Sequence, residues 1–547
     1  LDFFKEHQKL TGIYYTPFLF AQTALTLLEK KLGTAWWSSG EFRIWDMAAG
    51  IGNLIYHLHQ DAYQFCYLST LNQDDVAFCE KKFPFATCFQ YDYLNDDINN
   101  VFADNSTNWK LPTKLKSDLD DKSIKWIILV NPPFATSQTA GNKSLRKTGV
   151  SDTQVRKKMH SQNLGEVSRE LFSQFIFRIK KEFENRTAYL GLFSKIKYLN
   201  ATNDQKFRDS IFQFTFIDGF FFSSSNFDGT SKQIQFPVGF LLWDMNCLQK
   251  LESQKITLEI LNPQAAKIGI KTIVVENKSK FLNKWIERPV ARNIFPPVGS
   301  AITFKFDNKD LRNRVADNFL ASLMCAGNNF QCQNQTAIFS APAVSAGAIS
   351  VTPDNFGKAM VVHAVRRIPK ATWINDRDQF LKPNRNLADE FIVDCVLWNL
   401  FSPSNQTAAL KNIEYQQQVY QIKNNLFPFL LSDIVSWKFT DELIFNSTFS
   451  DKNRYVSDWL TSKILSSESD TVLDVGKKIY QFYFENLYLI NLQKYKIETW
   501  DAGWWQIRNA LRDANLADEL LKKLQIVHNK LRDKLLPQIY DYGFIID

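Results

Sequence analysis

Residues that build covalent or metal frameworks are scarce in this chain. Its 547 residues hold seven cysteines, an odd number and scattered, with Cys325 and Cys332 the nearest pair. A disulfide framework and a zinc ribbon are thereby excluded, and a reducing cytoplasm is the expected compartment. No Cys/His cluster has ligand spacing, so no metal is expected. No apolar run approaches the ~18 residues needed to cross a bilayer, and no membrane partner is expected. The start, Leu1-Asp2-Phe3-Phe4-Lys5, is not read as a secretory signal. Internal repeats and a Gly-x-Gly-x-x-Gly fingerprint are both missing. Charge is also modest: the net of +8 permits a polyanionic partner without requiring one.

What the chain does have is length and apolar content, with hydrophobic residues at 45%, enough for two to four globular domains. Residues 1 to about 250 alternate strand-like and helix-like segments, which predicts an α/β layer fold. Pro17 opens an amphipathic stretch to Leu32, and Gly33 stops it. Strands are expected at Phe42–Asp46, Phe65–Leu71, Thr87–Gln90 and Trp126–Val130, with helices from Asn53 and over Asp74–Lys82. A basic polar interval, 135–165, carries Lys143, Arg146, Lys147, Arg156, Lys157 and Lys158 and reads as a long loop able to order over a nucleic-acid backbone. Further on, a helix is expected at Leu171–Glu184, a strand at Ala188–Ser194, and a hairpin of Phe216–Phe222 with Phe236–Trp243 closing the sheet. Lys271–Glu276 and Lys358–Val365 read as strands in loop-rich sequence, and helices dominate from about 440, ending in Leu516–Tyr540. The expected domains are 1–262, 263–440 and 441–547.

Chemistry concentrates at three strand ends. Asn131-Pro132-Pro133-Phe134 follows the apolar run Trp126–Val130. The Asn131 side-chain oxygen and the Pro132 carbonyl can both accept hydrogen bonds from an exocyclic amine. Paired prolines stiffen the turn, and Phe134 offers a flat face for an extruded base. Upstream, Asp46-Met47-Ala48-Ala49-Gly50-Ile51-Gly52-Asn53 is a strand, a glycine turn and an expected helix start, a polar cradle for a ligand. Asp92 ends the third strand. Ligands of open parallel sheets bind at the carboxyl ends of the strands, where these residues would gather.

Together with Gly12-Ile13-Tyr14-Tyr15-Thr16-Pro17, these segments resemble the motifs of the amino-methylating DNA methyltransferases. The resemblance is to the N6-adenine group of the gamma arrangement, found in type I and type IIG restriction–modification systems. Gly12–Pro17 is similar to motif X, Asp46–Gly52 to motif I and Asn131–Phe134 to motif IV, in the gamma order. The resemblance covers residues 11 to about 245. It implies a Rossmann-like, class I S-adenosylmethionine-dependent fold with an added mixed α+β C-terminal DNA-recognition region. It further implies that Tyr15, Thr16, Pro17, Asp46, Ala48, Gly50, Thr70, Asp92 and Tyr93 line S-adenosyl-L-methionine. Asn131 and Pro132 would hold the target amine and Phe134 would stack on the flipped base. Pro133, Phe227, Lys232, Arg366 and Arg367 would contact the double-stranded DNA substrate, with Phe227 closing the far side of the base. Arg377 and Arg385, near Trp373, are further candidate contacts. A separate restriction or specificity subunit is a partner the resemblance allows.

Two departures stand out. Met47 replaces the usual proline of motif I. After the second strand, where the family carries an acid for the cofactor ribose, this chain has Thr70 and Asn72, with Asp74 the nearest carboxylate. The expected activity is transfer of a methyl group to the N6 of a flipped adenine in a specific site. RNA-base and protein-glutamine N-methylation use related turns, but the glutamine enzymes are compact and leave residues 263–547 and Tyr-Tyr-Thr-Pro unexplained. A non-catalytic DNA-binding subunit is the other alternative.

Overall fold

The computed structural model describes residues 15–103, 108–134, 153–227, 235–305, 312–345, 347–437 and 452–546. The chain forms two compact units. The first runs to Lys278 and takes in Thr372–Asp378; the second comprises Ser279–Ala371 and Gln379–Ile546.

A nine-stranded sheet organises the first unit, in the order β3-β2-β1-β4-β5-β7-β6-β8-β9. Its strands are β1 (Phe42–Asp46), β2 (Cys66–Thr70), β3 (Thr87–Gln90), β4 (Lys125–Val130), β5 (Ala188–Lys195), β6 (Phe214–Ser223), β7 (Pro237–Leu248), β8 (Lys255–Leu261) and β9 (Lys267–Val274). From β3 to β5 all pairings are parallel. β7 runs antiparallel to both β5 and β6, and β9 antiparallel to β8. The architecture is α/β and Rossmann-like, with a large, mostly parallel central sheet.

The sequence of β4 shows why the sheet is buried on both faces. Trp126, Ile128 and Val130 enter one apolar cluster, and Ile127 and Leu129 enter another. The period of two thus sends apolar groups both ways, as a parallel sheet covered on both sides requires. Helices Thr113–Asp120, Gln154–Ser161 and Leu171–Glu182 contribute Leu115, Val155 and Phe175 to the first cluster. Helices Phe18–Leu32 and Gln73–Lys82 contribute Phe20 and Cys79 to the second. The chain order reverses between β1 and β4, so their carboxyl ends part and leave a crevice.

Several expectations are corrected. The hairpin β6–β7 does not close the sheet: β7 inserts between β5 and β6, and β8 and β9 extend it past residue 262. No helix begins at Asn53. Residues 51–57 form successive turns, Gly52 N–H to Ala49 O and Ile55 N–H to Gly52 O, while burial of Leu54 and Ile55 draws the segment inward. The interval 135–165 is partly packed: Gln154–Ser161 is a helix capped by Thr153, whose side chain accepts from Arg156 N–H, with Val155 and Met159 fully buried. Residues 135–152, with Lys143, Arg146 and Lys147, lie outside the described residues.

In the second unit, Lys358–Val365 is not a strand but lies within the helix Phe356–Arg367, buried nearly all round. A short apolar run does not by itself separate a core helix from a strand, and here its length and full burial settle the matter. Helices Asp389–Leu400, Ser467–Glu485, Trp504–Asp513 and Asp518–Asp541 share one core with it. The second unit thus takes in Ser279–Ala371 together with the helices after residue 452, while Thr372–Asp378 belongs to the first.

Gly219, on β6 between β7 and β8, tests the sheet. A Cβ there would stand 2.6 Å from the Phe240 carbonyl oxygen, a backbone atom that cannot yield. Gly219→Ala is expected to lower unfolding free energy by roughly 1–3 kcal/mol in a denaturant titration.

Candidate active site

A cavity of about 230 Å³ opens at the carboxyl ends of β1 to β4. Each strand contributes the residues that follow it. Met47–Gly50 come after β1, Thr70–Asn72 with β2, Tyr91–Asn95 after β3, and Asn131 and Pro133 after β4.

Tyr15 and Thr16, arriving ahead of the helix Phe18–Leu32, complete this wall. Thr16 is bonded from both sides of the crevice. Asn53 Nδ2 donates to its carbonyl oxygen at 3.0 Å, and Asn131 Nδ2 donates to its Oγ1 at 2.9 Å. The second bond orients the Asn131 amide. Gly50 has φ +50°, a left-handed conformation, and a Cβ there would meet the Tyr15 ring at 2.9 Å. Glycine is needed for both reasons, backbone shape and the approach of Tyr15.

The far wall is fixed by a buried polar network. Tyr93 hydroxyl donates to Glu182 Oε2 at 2.6 Å, and its ring stacks on Phe175 at 5.2 Å. The fully buried Arg178 lies 4.2 Å over the Tyr93 ring and donates to the Tyr93 carbonyl at 2.5 Å and the Tyr91 hydroxyl at 2.6 Å. Burial and the nearby Glu182 carboxylate raise the Tyr93 phenol well above its ordinary range. The ring is therefore a neutral, rigid surface.

Asp92 accepts from Leu94 N–H at 3.0 Å and from Asn95 Nδ2 at 2.8 Å, which shapes the turn and leaves acceptor capacity on its carboxylate. The carboxylate that serves the end of β2 is Asp75, not Asp74. Asp75 lines the cavity and lies within reach of Thr70 Oγ1 at 3.4 Å and Asn72 Nδ2 at 3.3 Å, whereas Asp74 is exposed. Helical geometry explains the swap: Asn72 is the N-cap, and the third helical residue turns back toward it.

Of the residues expected at the site, Tyr15, Thr16, Ala48, Gly50, Thr70, Asp92, Tyr93, Asn131 and Pro133 line the cavity. Asp46, Pro17, Pro132 and Phe134 are not among its lining residues. Asp46 is fully buried, and its Oδ1 accepts from Ala48 N–H at 3.1 Å, which holds the glycine turn. Phe134 and Phe227 were expected on opposite sides of a base. Instead they meet edge to face, centroids 5.4 Å apart, and both are buried, so no slot separates them here. Lys232 lies outside the described residues.

Arg366 is corrected. It is fully buried in the second unit, and its guanidinium donates to Thr336, Asn283 and the carbonyls of Gly327, Ala326 and Cys332. All its donors are spent on the fold, leaving none for a base edge. Arg367 donates to the Gln333 carbonyl and Asn334 Oδ1. Arg377 and Trp373 belong to the first unit, where Arg377 pairs with Asp376 at 3.1 Å and Trp373 packs on Phe221. Arg385 is exposed and stands 4.8 Å over the Tyr542 ring.

The sequence reading also missed Asn53, Asp75, Thr153, Phe175 and Lys195. Lys195, at the end of β5, donates from Nζ to the Phe134 carbonyl at 2.9 Å and braces the turn after Asn131. The helix caps Asn72 and Thr153 are signals that would have drawn attention to Asp75 and to Thr153 itself; Asn53 was read as a helix start after the glycine turn, not as a donor to the Thr16 carbonyl.

Chemically, the lining holds two carboxylates, Asp75 and Asp92, several aromatic rings, and no Lys or Arg among the described residues. A phosphate-bearing cofactor would find neither a basic side chain nor a helix N-terminus after the glycine turn. A cationic ligand with hydroxyl and amino groups fits: carboxylates accept from hydroxyls and amines, and tyrosine faces favour positive charge. S-adenosyl-L-methionine has that character.

No family model matches the chain, and no protein of curated function matches its sequence. Among solved structures, it is similar to a DrdV–DNA complex at 17% identity, covering 58% of this chain and 36% of that one, with a TM-score of 0.37. A modification subunit of a putative type I restriction enzyme from Vibrio vulnificus YJ016 is 11% identical, with coverage of 48% and 49% and a TM-score of 0.28. A putative RNA methyltransferase from Pyrococcus horikoshii is 16% identical, with coverage of 42% and 86% and a TM-score of 0.23. The chain spans about a third to a half of the length of the first two. These likenesses are partial. Among the described residues, no helix is long and apolar enough to cross a membrane.

Burial pushes the Asp46 carboxyl up to about 7, far above an ordinary aspartate. The folded state then holds a proton that the unfolded chain releases near pH 4, so stability falls as pH rises from 4 toward 7 and levels above that. Asp46→Asn is expected to remove this slope, about 1.4 kcal/mol per pH unit at its steepest, in denaturant titrations at pH 5 and 7.

Proposed function

We propose that this protein is a site-specific DNA adenine N6-methyltransferase of a restriction–modification or related system, with S-adenosyl-L-methionine as methyl donor. The observation that carries the reading is the bond from Asn131 to Thr16 across the switch point, beside a cavity lined by carboxylates and tyrosines. Tyr15, Thr16, Ala48, Gly50, Thr70, Asp75, Asp92 and Tyr93 would hold the donor. When bound, it supplies a methyl group on a positively charged sulfur.

The chain's own residues do the rest by position. An aromatic amine is a poor nucleophile because its lone pair is spread into the ring. Asn131 Oδ1 and the Pro132 carbonyl accept from the amine, draw it toward tetrahedral geometry and localise that pair. Thr16 holds the amide so that its oxygen, not its nitrogen, meets the amine. Lys195 keeps the turn closed from behind. Fixed acceptors of this kind need no reorganisation during the reaction, which is where their value lies. Because Phe134 and Phe227 touch edge to face, entry of a base requires these rings to part. Recognition of a particular sequence is assigned to the second unit, and the exposed Arg385 is its candidate contact.

Methyl transfer from labelled S-adenosylmethionine to duplex DNA, with the modified base identified by mass spectrometry, tests the assignment. Asn131→Ala is expected to reduce transfer by at least about 10²-fold while donor binding, measured by calorimetry, survives. Retained turnover would remove Asn131 from this role. Label appearing only in RNA or protein would replace the substrate proposed.

Asp75 yields a separate test. Asp75→Asn keeps the shape but loses a charge-assisted acceptor, and donor affinity is expected to fall about tenfold or more. Asp74→Asn, on the exposed side, is expected to leave it unchanged.

A further inference from the structure

The second unit contains a cavity of about 320 Å³ that the proposed chemistry does not use. Its lining includes Arg367, Arg508, Arg512 and Arg532, from three helices: Phe356–Arg367, Trp504–Asp513 and Asp518–Asp541. No Asp or Glu lines it among the described residues. Arg532 is paired with Asp533, and Arg367 donates only to neutral oxygens. Arg512 follows Arg508 by one helical turn, which places like charges together.

Arg508 is the unusual member. The residue is 8% exposed, and its Nε and Nη1 are buried with no acceptor among the described residues. The indole N–H groups of Trp398 and Trp504, which line the same cavity, are likewise buried without an acceptor. These are four orphaned donors and no orphaned acceptor at one place. A buried guanidinium without a partner costs several kcal/mol, and folded proteins rarely carry one without a ligand, ion or water to complete it. Burial and the neighbouring Arg512 depress the Arg508 guanidinium to about 10, the sign expected of an uncompensated cation.

We propose that this cavity is a binding site for a small phosphate-bearing anion, with Arg508 as its central contact. A phosphate group offers three acceptor oxygens and nearly two negative charges. That matches the unpartnered donors of Arg508, Trp398 and Trp504 around one cavity, and the excess charge of Arg508 and Arg512, better than a carboxylate does. His528 stacks on Trp398 at 5.1 Å and bonds the Trp398 carbonyl through Nε2 at 2.8 Å, fixing that side of the cavity. The depth of Arg508 favours a small anion over the backbone of a duplex, whose phosphates reach exposed side chains. The site is independent of methyl transfer and stands or falls without it.

Calorimetric titration of the full chain with inorganic phosphate, and with adenosine monophosphate, tests the proposal against a chloride control of equal ionic strength. Saturable binding is expected, with a rise in melting temperature. Arg508→Met is expected to weaken it at least about tenfold while the unliganded variant melts no lower than the parent. Arg512→Gln changes an exposed position. It is expected to weaken binding by a smaller factor, and decides the matter should Arg508→Met not fold. The proposal is overturned by the absence of saturable binding, by a shift that chloride reproduces, or by unchanged affinity in the variant that folds. Protection by a short DNA duplex but by neither small phosphate would overturn it equally.

Discussion

Thr16 ties together the segments that follow two neighbouring strands. At the point where strand order reverses, the ladder between β1 and β4 ends at Trp45 and Ile128, short of the β1 turn and of Asn131. Thr16 accepts from Asn53 through its carbonyl and from Asn131 through its hydroxyl. Those two bonds bring Tyr15 over Gly50 and set which way the Asn131 amide faces. Everything proposed for the first unit depends on that orientation, because an amide turned over would present donors to an amine that is itself a donor.

The two cavities have opposite chemical character. Among the described residues, the first has carboxylates and tyrosines and no basic side chain, and suits a cation. The second, among the same residues, has guanidiniums and indoles and no carboxylate, and suits an anion. Overall charge said little about either, since a net of +8 averages over both. Local burial decides more: Arg178, fully buried, donates to Tyr91 and to the Tyr93 and Asp96 carbonyls, and its Nε, which has no hydrogen-bond acceptor, faces the Glu182 carboxylate at 3.6 Å, whereas Arg508, nearly as deep, has neither acceptor nor carboxylate among the described residues. One cation completes a wall; the other marks a site.

Much of the α/β unit was legible because its strands have fixed rules. β1 and β3 fall at the residues expected, and the helix Phe18–Leu32 lies between Pro17 and Gly33 as their chemistry demands. Seven of the expected residues, Ala48, Gly50, Thr70, Asp92, Tyr93, Asn131 and Pro133, gather around one cavity at strand ends, and Tyr15 and Thr16 join them from ahead of the helix Phe18–Leu32. What misled was local: the glycine turn looked like a helix start, but Gly52 and the burial of Leu54 and Ile55 produce turns instead. Lys358–Val365 looked like a strand because valines are stiff and common there, yet its apolar groups surround a helix in the core.

By itself, the sequence determined the alternation of strands and helices, the three strand-end segments and the identity of the amide, prolines and ring that follow β4. These are short-range properties, set by side-chain period, φ restriction and turn chemistry. Only the tertiary structure decided that Asp75 rather than Asp74 faces the cavity, that Arg366 is consumed by carbonyls, and that Arg508 is left with donors and no acceptor. Each of those outcomes depends on groups tens or hundreds of residues away or on the rotation of a helix about its axis, and no local pattern encodes either.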